Sequence, residues 1–465
     1  MALLPARLAR HIANGIIPVA VAQARRDAVG CVAPVRRSGP PGITGIFSNS
    51  TPYMRILYID FFYKDLDMIG GCRSLMMARW LVAHGHTVNL VTSFNSPTPT
   101  TKWETKHEEG MTRHWLGVPY SNTMGFKQRM KAFLRFAWRA SRFGVGLPAD
   151  VVFAVSPPLT NALPAARISR ALRVPMVFEV GDLWPETPIV MGALRNPLLK
   201  AAARWLERFA YRNSSRIVAL SPGMKAGICR TGYLEEHVAV IPNCSDIGMF
   251  RVPAERGQEW RRAHPEIGDR PMVLYAGTLG RINGVDWLAR CAAAAAKLDP
   301  EIRFVTVGGG IETDQVRQEA ERCGVLGSNF FMYPPVKKGD VLAILSACSL
   351  STSVVINVPE LWNNSANKFF DSLAAGRPIA INHPGWQAEL LQASGAGLVL
   401  PYGDLPGAAR LLVDKLRDPS WLPDARVAAA RLAEERFSSE LLAQQLESLF
   451  LAAVADHGQP QARRG

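Results

Sequence analysis

The run Leu361-Trp362-Asn363-Asn364-Ser365-Ala366-Asn367-Lys368-Phe369-Phe370-Asp371-Ser372-Leu373-Ala374-Ala375-Gly376-Arg377-Pro378 decides how the chain is read. Before it, residues 350–356 are rich in Val, Ser and Thr and read as a buried strand. After it, residues 379–381 read as another. One short helix fits between them. Asn364 or Ser365 can cap its start, and Gly376 followed by Pro378 stops it. Phe369, Phe370, Leu373 and Ala374 form its apolar face, while Asn367 and Asp371, four apart, share another. A helix that opens after a parallel strand presents N–H groups and a partial positive charge, which suits a phosphate. Lys368 adds a full charge in the first turn. Asp371, one turn further on, suits two ribose hydroxyls. Phosphate at the helix start and sugar hydroxyls along its side describe a nucleotide site.

This run resembles the donor-binding segment of the retaining family-4 glycosyltransferases of the GT-B fold. That family has two glutamates separated by seven residues, followed by Ala-x-Gly-x-Pro. Asp371 stands at the second acid with Ala374-Ala375-Gly376-Arg377-Pro378 behind it, and Asn363 stands at the first. The stretch Asn-Ser-Ala-Asn-Lys-Phe-Phe-Asp is similar to runs in bacterial surface-polysaccharide transferases of the fucosamine-transferase-like kind. The resemblance implies two facing Rossmann-like parallel-sheet domains, with a C-terminal helix that crosses back to the first. It also places Asn363, Ser365, Ala366, Asn367 and Asp371 on the donor.

Length and composition agree with two domains. A chain of 465 residues exceeds one ordinary domain, and 48% hydrophobic residues suffice for large cores. Seven cysteines are scattered without a C-x-x-C pair, so neither a zinc site nor a disulfide framework is indicated. The net charge of +14 sits in two places: residues 1–53 hold six Arg and one Asp, and residues 110–149 hold seven Lys or Arg and no acid. A charge so confined argues against nucleic acid as a partner.

Residues 1–53 show no sustained period. Residues 12–22, with Arg7 and Arg10 in front, could pass for a weak targeting segment. Met54-Arg55-Ile56-Leu57-Tyr58-Ile59-Asp60 is a clean first strand, so the folded chain is expected to start at Met54, with 1–53 a disordered extension or an unused upstream start. Gly70-Gly71 then makes a βα turn and Arg73 lies at the start of the next helix, an arrangement that in the resembled family faces the acceptor. Residues 126–143 are strongly amphipathic. Phe126, Met130, Phe133, Leu134, Ala137 and Trp138 recur at helical spacing among Lys127, Arg129, Lys131, Arg135, Arg139 and Arg142. Such a helix suits an anionic membrane surface; the alternative is a soluble surface helix whose cations are merely solvated.

Further on, Glu179-Val180-Gly181-Asp182-Leu183-Trp184-Pro185-Glu186 puts acids at the end of a parallel strand, where open α/β sheets bind ligands. It resembles the family's Asp-Leu-Trp-Pro-Glu segment, with Gly181 where many relatives have His. Asp182 is the candidate for orienting reactants. The second domain opens with a strand and the loop Gly277-Thr278-Leu279-Gly280-Arg281-Ile282-Asn283-Gly284. The family commonly has Arg at the place of Thr278 and Lys at that of Asn283. Arg281 and Lys368 are the cations that can serve the diphosphate instead. Val336 stands where relatives hold the base.

The expected domains are 54–245 on the acceptor side, 246–435 for the nucleotide sugar, and 436–465 as crossover helix and tail. The expected reaction moves a sugar from a nucleotide diphosphate donor, taken as UDP-linked, to a lipid-linked saccharide with retention. It needs no cofactor and no metal, and it runs at the cytoplasmic face of the plasma membrane. Two alternatives stay open: a nucleotide-sugar 2-epimerase of similar fold, and a non-catalytic scaffold that binds sugar nucleotides.

Overall fold

The computed structural model describes residues 53–458, apart from 67, 69, 70, 122 and 123. The readings of the N-terminal extension and of Gly70 therefore lie outside the described residues, save Tyr53, whose hydroxyl is 2.5 Å from Thr87 Oγ1.

Two sheets carry the fold. The first consists of β1 (Arg55–Asp60), β2 (Thr87–Asn95), β3 (Glu104–Glu108), β4 (Met111–Val118), β5 (Val151–Ser156), β6 (Met176–Val180), β7 (Arg216–Ala219) and β8 (Val238–Val240). Their order is β3-β4-β2-β1-β5-β6-β7-β8, parallel except for the β3–β4 hairpin. The second holds β9 (Met272–Ala276), β10 (Arg303–Val307), β11 (Phe330–Tyr333), β12 (Leu350–Ser353), β13 (Ile379–Ile381) and β14 (Gly397–Val399). Its order is β11-β10-β9-β12-β13-β14, parallel throughout. Strands such as Ile56–Ile59 and Val151–Ala154 are buried residue after residue, because helices cover both faces of a parallel sheet.

Each sheet reverses its winding direction once, at β1/β5 in the first and at β9/β12 in the second. Open α/β sheets place ligands in the crevice beyond the strand ends at such points. The loops after β1 and β5 and those after β9 and β12 are therefore the ones that can build a site.

The C-terminal segment comprises two helices, Trp421–Arg436 and Ser439–Gly458, the second of which falls in the segment 436–465 expected to cross back. The first packs on the second domain through Ala428, Ala429 and Leu432. The second returns to the first domain: Leu442, Leu446 and Phe450 join its core, and the Phe450 ring lies 5.0 Å from that of Phe153. His86 Nε2 and Glu447 Oε1, 2.7 Å apart and buried, fix that return, while His86 Nδ1 accepts from Met54 N–H. The chain thus crosses between domains twice, near Ser245 and near Ser438, and the two crossings pair with each other as a parallel bridge.

Candidate active site

The short helix read from the sequence is Asn367–Ala374, and Gly376 (φ +61°) ends it. Its cap differs from the expectation. Ala366 is the residue before the first turn, and neither Asn364 nor Ser365 caps it. The Ser365 hydroxyl instead accepts from Asn243 N–H at 3.2 Å, across the gap between domains, and Asn243 Nδ2 donates to Ser365 O. In its first turn Phe369 N–H donates to Ala366 O at 3.0 Å. The N–H groups of Asn367 and Lys368 precede the first helical carbonyls, and Ala366 and Asn367 line the cleft. Lys368 projects from that turn. Its Nζ lies 3.2 Å from Asn283 Oδ1 and 5.0 Å from the centre of the Tyr275 ring. Burial pushes its ammonium down to about 8, partly offset by Asp371.

Asn283 and Lys368 are thus brought together. Gly277 lies directly beneath them, since a Cβ there would come within 3.0 Å of Lys368 Cε. Thr278 supplies its carbonyl to Tyr275 Oη–H (2.7 Å) and Asn283 Nδ2–H (2.9 Å), which shapes the loop. The loop after β10 backs this one so closely that a Cβ on Gly308 would sit 1.8 Å from Gly277 O, and one on Gly310 2.2 Å from Leu279 O. Pro335, just before half-buried Val336, closes over Gly309. Arg281 does not join this group. Its side chain is exposed, and the acid that feels its charge is Glu312.

Two further expectations are refined. Arg73 lines the cavity described below together with Gly71, but most of its donors are already engaged: Nε and Nη2 grip buried Glu179 at 2.9–3.1 Å, Nη1 donates to Pro242 O at 2.5 Å and Nη2 to Ile241 O at 3.1 Å. It clamps the first sheet to the chain that leaves it. Asp371 is neither a free carboxylate nor a solvated one. It is 8% exposed, Oδ1 accepts from Ser245 Oγ at 2.6 Å, and Oδ2 pairs with Lys338 Nζ at 2.5 Å. A carboxylate has about four lone-pair directions, so a ribose hydroxyl has room only beside these partners.

The domains meet along the stretch that opens the site, at every second residue. Asn363 O accepts from Ser221 Oγ at 2.6 Å, and its side chain rests on Gly223, where a Cβ would lie 1.8 Å from Oδ1. Ser365 meets Asn243 as above. Asn367 lies against Gly71, where a Cβ would approach its Nδ2 to 2.3 Å. Glycine at 71 and 223 is thus what permits the close approach.

Between these contacts lies a cavity of about 280 Å³, lined from the first domain by Asp60, Lys64, Ser74, Ser156 and Asp182 and from the second by Ser365, Ala366 and Asn367. It is near the lower end of the roughly 300–1,000 Å³ usual for ligand sites. Asp182 reaches it as expected, and burial pushes its carboxyl up to about 6. Gly181 stands before it because a Cβ would lie 2.2 Å from Ser156 O. Asp60 was missed by sequence reasoning. It ends β1, accepts from Ser74 Oγ (2.6 Å) and Phe62 N–H (2.9 Å), and burial raises it to about 6. An acid at the end of a parallel strand was the signal already used for Asp182. Two carboxyls poised near neutrality can accept hydrogen bonds or a proton from sugar hydroxyls.

A second, open cavity of about 710 Å³ lies on the outer face of the first domain, between the helices Phe126–Gly144 and Pro197–Arg212. The first helix has two apolar sides. Ala132, Phe136, Ala137 and Ala140 are buried in the domain, whereas Leu134 (48% exposed) and Trp138 (53%) face outward. Arg142 stacks over Trp138 at 4.4 Å. The second helix, unsuspected from sequence, adds Leu198 (78%) and Trp205 (61%) beside Lys200, Arg204 and Arg208. Among the described residues no helix is long and apolar enough to cross a membrane.

Comparison with known proteins follows this geometry. A family model described as a glycosyl transferase 4-like domain matches residues 71–244, and one described as glycosyl transferases group 1 matches 270–418. The chain is similar to alpha-maltose-1-phosphate synthase of Mycolicibacterium smegmatis, 24% identical over 60% of this chain and 73% of that one. It is also similar to the putative colanic acid biosynthesis glycosyl transferase WcaI of Escherichia coli, 23% identical over 58% and 68%. Among solved structures, sucrose-phosphate synthase of Thermosynechococcus elongatus superposes with a TM-score of 0.70 at 16% identity, covering 86% of this chain and 99% of that one. HepE of Anabaena, solved with UDP and glucose, gives 0.64 at 16%, covering 86% and 100%.

The buried ammonium gives a prediction with a definite sign. Lys368 carries its charge below about 8 and loses it above, so affinity for UDP should fall roughly tenfold between pH 7 and pH 9.5. Lys368→Arg, charged throughout, should flatten that dependence in calorimetric titrations. An unchanged slope in Lys368→Arg would remove Lys368 from the diphosphate.

Proposed function

The chain is a glycosyltransferase of the two-domain GT-B, family-4 type, and from that premise we propose that it moves a hexose-type sugar from a UDP-linked donor to a lipid-linked saccharide with retention. The observation that carries the donor half is Lys368 beside Asn283 at the open end of the helix Asn367–Ala374. The bond from the anomeric carbon to the diphosphate oxygen breaks, a bond to an acceptor hydroxyl oxygen forms on the same face, and the hydroxyl proton passes to the departing diphosphate oxygen. Negative charge collects on the departing diphosphate, where Lys368 and the helix N–H groups stabilise it most. Asp182 and Asp60 in the 280 Å³ cavity hold the acceptor hydroxyls. Domain contacts at Asn363, Ser365 and Asn367 exclude water from the reacting sugar. Asn363, in place of an acid, packs on Gly223 of the first domain instead of lining the cavity, so it bears on the donor through the closure of the cleft. The product belongs to surface polysaccharide, of the fucosamine-transferase-like kind that the donor stretch resembles.

The outward apolar residues of two neighbouring helices, ringed by cations, support a membrane-facing role for the first domain at the cytoplasmic leaflet. An acceptor with a lipid tail would then be met at that surface. The helix Pro197–Arg212 widens the contact beyond residues 126–143.

Two measurements check this reading. Incubated with labelled UDP-sugars and bacterial membrane extract, the protein should put label into the lipid fraction. A changed sugar nucleotide without acceptor would mean an epimerase instead, and binding without turnover a scaffold. On anionic vesicles, replacing Arg135, Arg139 and Arg142 by Gln should weaken binding more than tenfold, at about 1 kcal/mol per cation. Trp138→Ala with Trp205→Ala should weaken it as well and leave UDP binding intact. Vesicle binding equal to wild type in both variants would return these helices to an ordinary soluble surface.

A further inference from the structure

At the opposite edge of the second sheet, where its strands begin, three arginines converge. Arg261, in the last turn of the helix Ala254–Ala263, donates from Nε (3.0 Å) and Nη2 (2.7 Å) to Ala347 O, and from Nη1 (2.9 Å) to Arg270 O. The chain continues through Cys348 and Ser349 into β12. Ser351 N–H donates to Pro378 O at 2.9 Å, and Ser351 pairs with Ile379, which sets Arg377 beside Ser349 at the start of β13. Arg426 belongs to the helix Trp421–Arg436, which crosses directly over Gly376: a Cβ on Gly376 would lie 4.0 Å from Arg426 O. The three guanidiniums therefore come from three elements to one place.

The charges there are not balanced. Among the described residues, no carboxylate lies within ion-pairing distance of Arg261, Arg377 or Arg426. Asp269 is the one acid whose charge reaches Arg261. Cys348 at the centre is 1% exposed, and burial pushes its thiol up to about 11, so it stays neutral. Burial, followed by the like charge of Arg377, presses Arg426 below its ordinary value. Arg261 is used up by backbone carbonyls, but the Nε–H groups of Arg377 and Arg426 are both buried and without a hydrogen-bond partner. Buried donors are ordinarily satisfied, and leaving one bare costs about 1–3 kcal/mol, more when it is charged.

We propose that this edge is a second anion site, formed by Arg377 and Arg426 with Arg261 behind them, for a free phosphate-bearing small molecule. Two guanidiniums beside each other match the oxygens of a phosphomonoester or pyrophosphate, which neutralises the repulsion between them. The site is separate from the donor cleft. Arg377 follows the C-terminal end of the helix Asn367–Ala374, whose N-terminal end carries Lys368, and an eight-residue helix is about 12 Å long. An occupant here would press on the far end of the helix that presents Lys368.

The experiment is calorimetric titration of the full chain with sodium pyrophosphate in the presence of saturating UDP, which closes the cleft to it. Wild type should bind pyrophosphate and gain melting temperature with its concentration. Arg377→Gln and Arg426→Gln should each bind it at least tenfold more weakly, while Lys368→Ala, altered in the cleft, should bind it as wild type does. If the arginines only offset the carbonyl ends of the helices around them, wild type will show neither heat nor stabilisation from millimolar pyrophosphate. That outcome, or equal binding by wild type and both arginine variants, overturns the proposal.

Discussion

A buried carboxylate holds the hinge of this molecule. Asp371 sits inside the second domain, and its two oxygens reach Lys338 of the same domain and Ser245 of the chain that joins the domains. Removing Lys338 would leave a buried charge without its counter-ion, which typically costs about 3–5 kcal/mol, whereas removing the Ser245 hydroxyl would cost one hydrogen bond to a charged group, about 1.5–3 kcal/mol. The connecting chain is therefore tied to the helix whose other end opens the donor site. Ser245 also pairs with Ser438, so the return crossing is held by the same knot. On the first-domain side, Arg73 does the equivalent with Glu179 and the carbonyls of Ile241 and Pro242. Between these two buried charges, residues 241–245 have little freedom.

That constraint explains why the cleft is so closely fitted. With the hinge held at one end, the stretch from Asn363 to Asn367 falls against Gly71, Gly223 and Asn243, and each contact sets a polar side chain against the backbone of the other domain. What remains open is a small polar cavity between the acids of the first domain and the helix start of the second. Charge differs across that gap: two acids raised by burial to about 6 stand on the first domain's side, and Lys368, lowered by burial to about 8, stands on the second's.

Much of this was legible in the sequence, because the deciding signals are local. Alternation of strands with helices, the Gly376–Pro378 stop, and the acid after β6 each follow from neighbouring residues. The site's cations were only half legible. Lys368 and Arg281 both looked able to reach a phosphate, and nothing local shows that Lys368 folds over Gly277 while Arg281 points to solvent. The buried partners of Arg73 and Asp371 were invisible for one reason: Glu179, and Ser245 and Lys338, are far away in the chain. A charged residue spent on a buried partner has the same appearance in sequence as one awaiting a ligand. The helix Pro197–Arg212 was passed over because its pattern is ordinary, and only its exposure singles it out.

The central claim is that the nucleotide sits where the loop after β9 meets the start of the helix Asn367–Ala374. Peptide-resolved amide hydrogen exchange of the full chain, with and without UDP, tests it most directly. The account predicts slowed exchange in residues 277–284 and 365–369, with none at 126–144. Protection confined to other segments, or no protection by UDP at saturation, would contradict it.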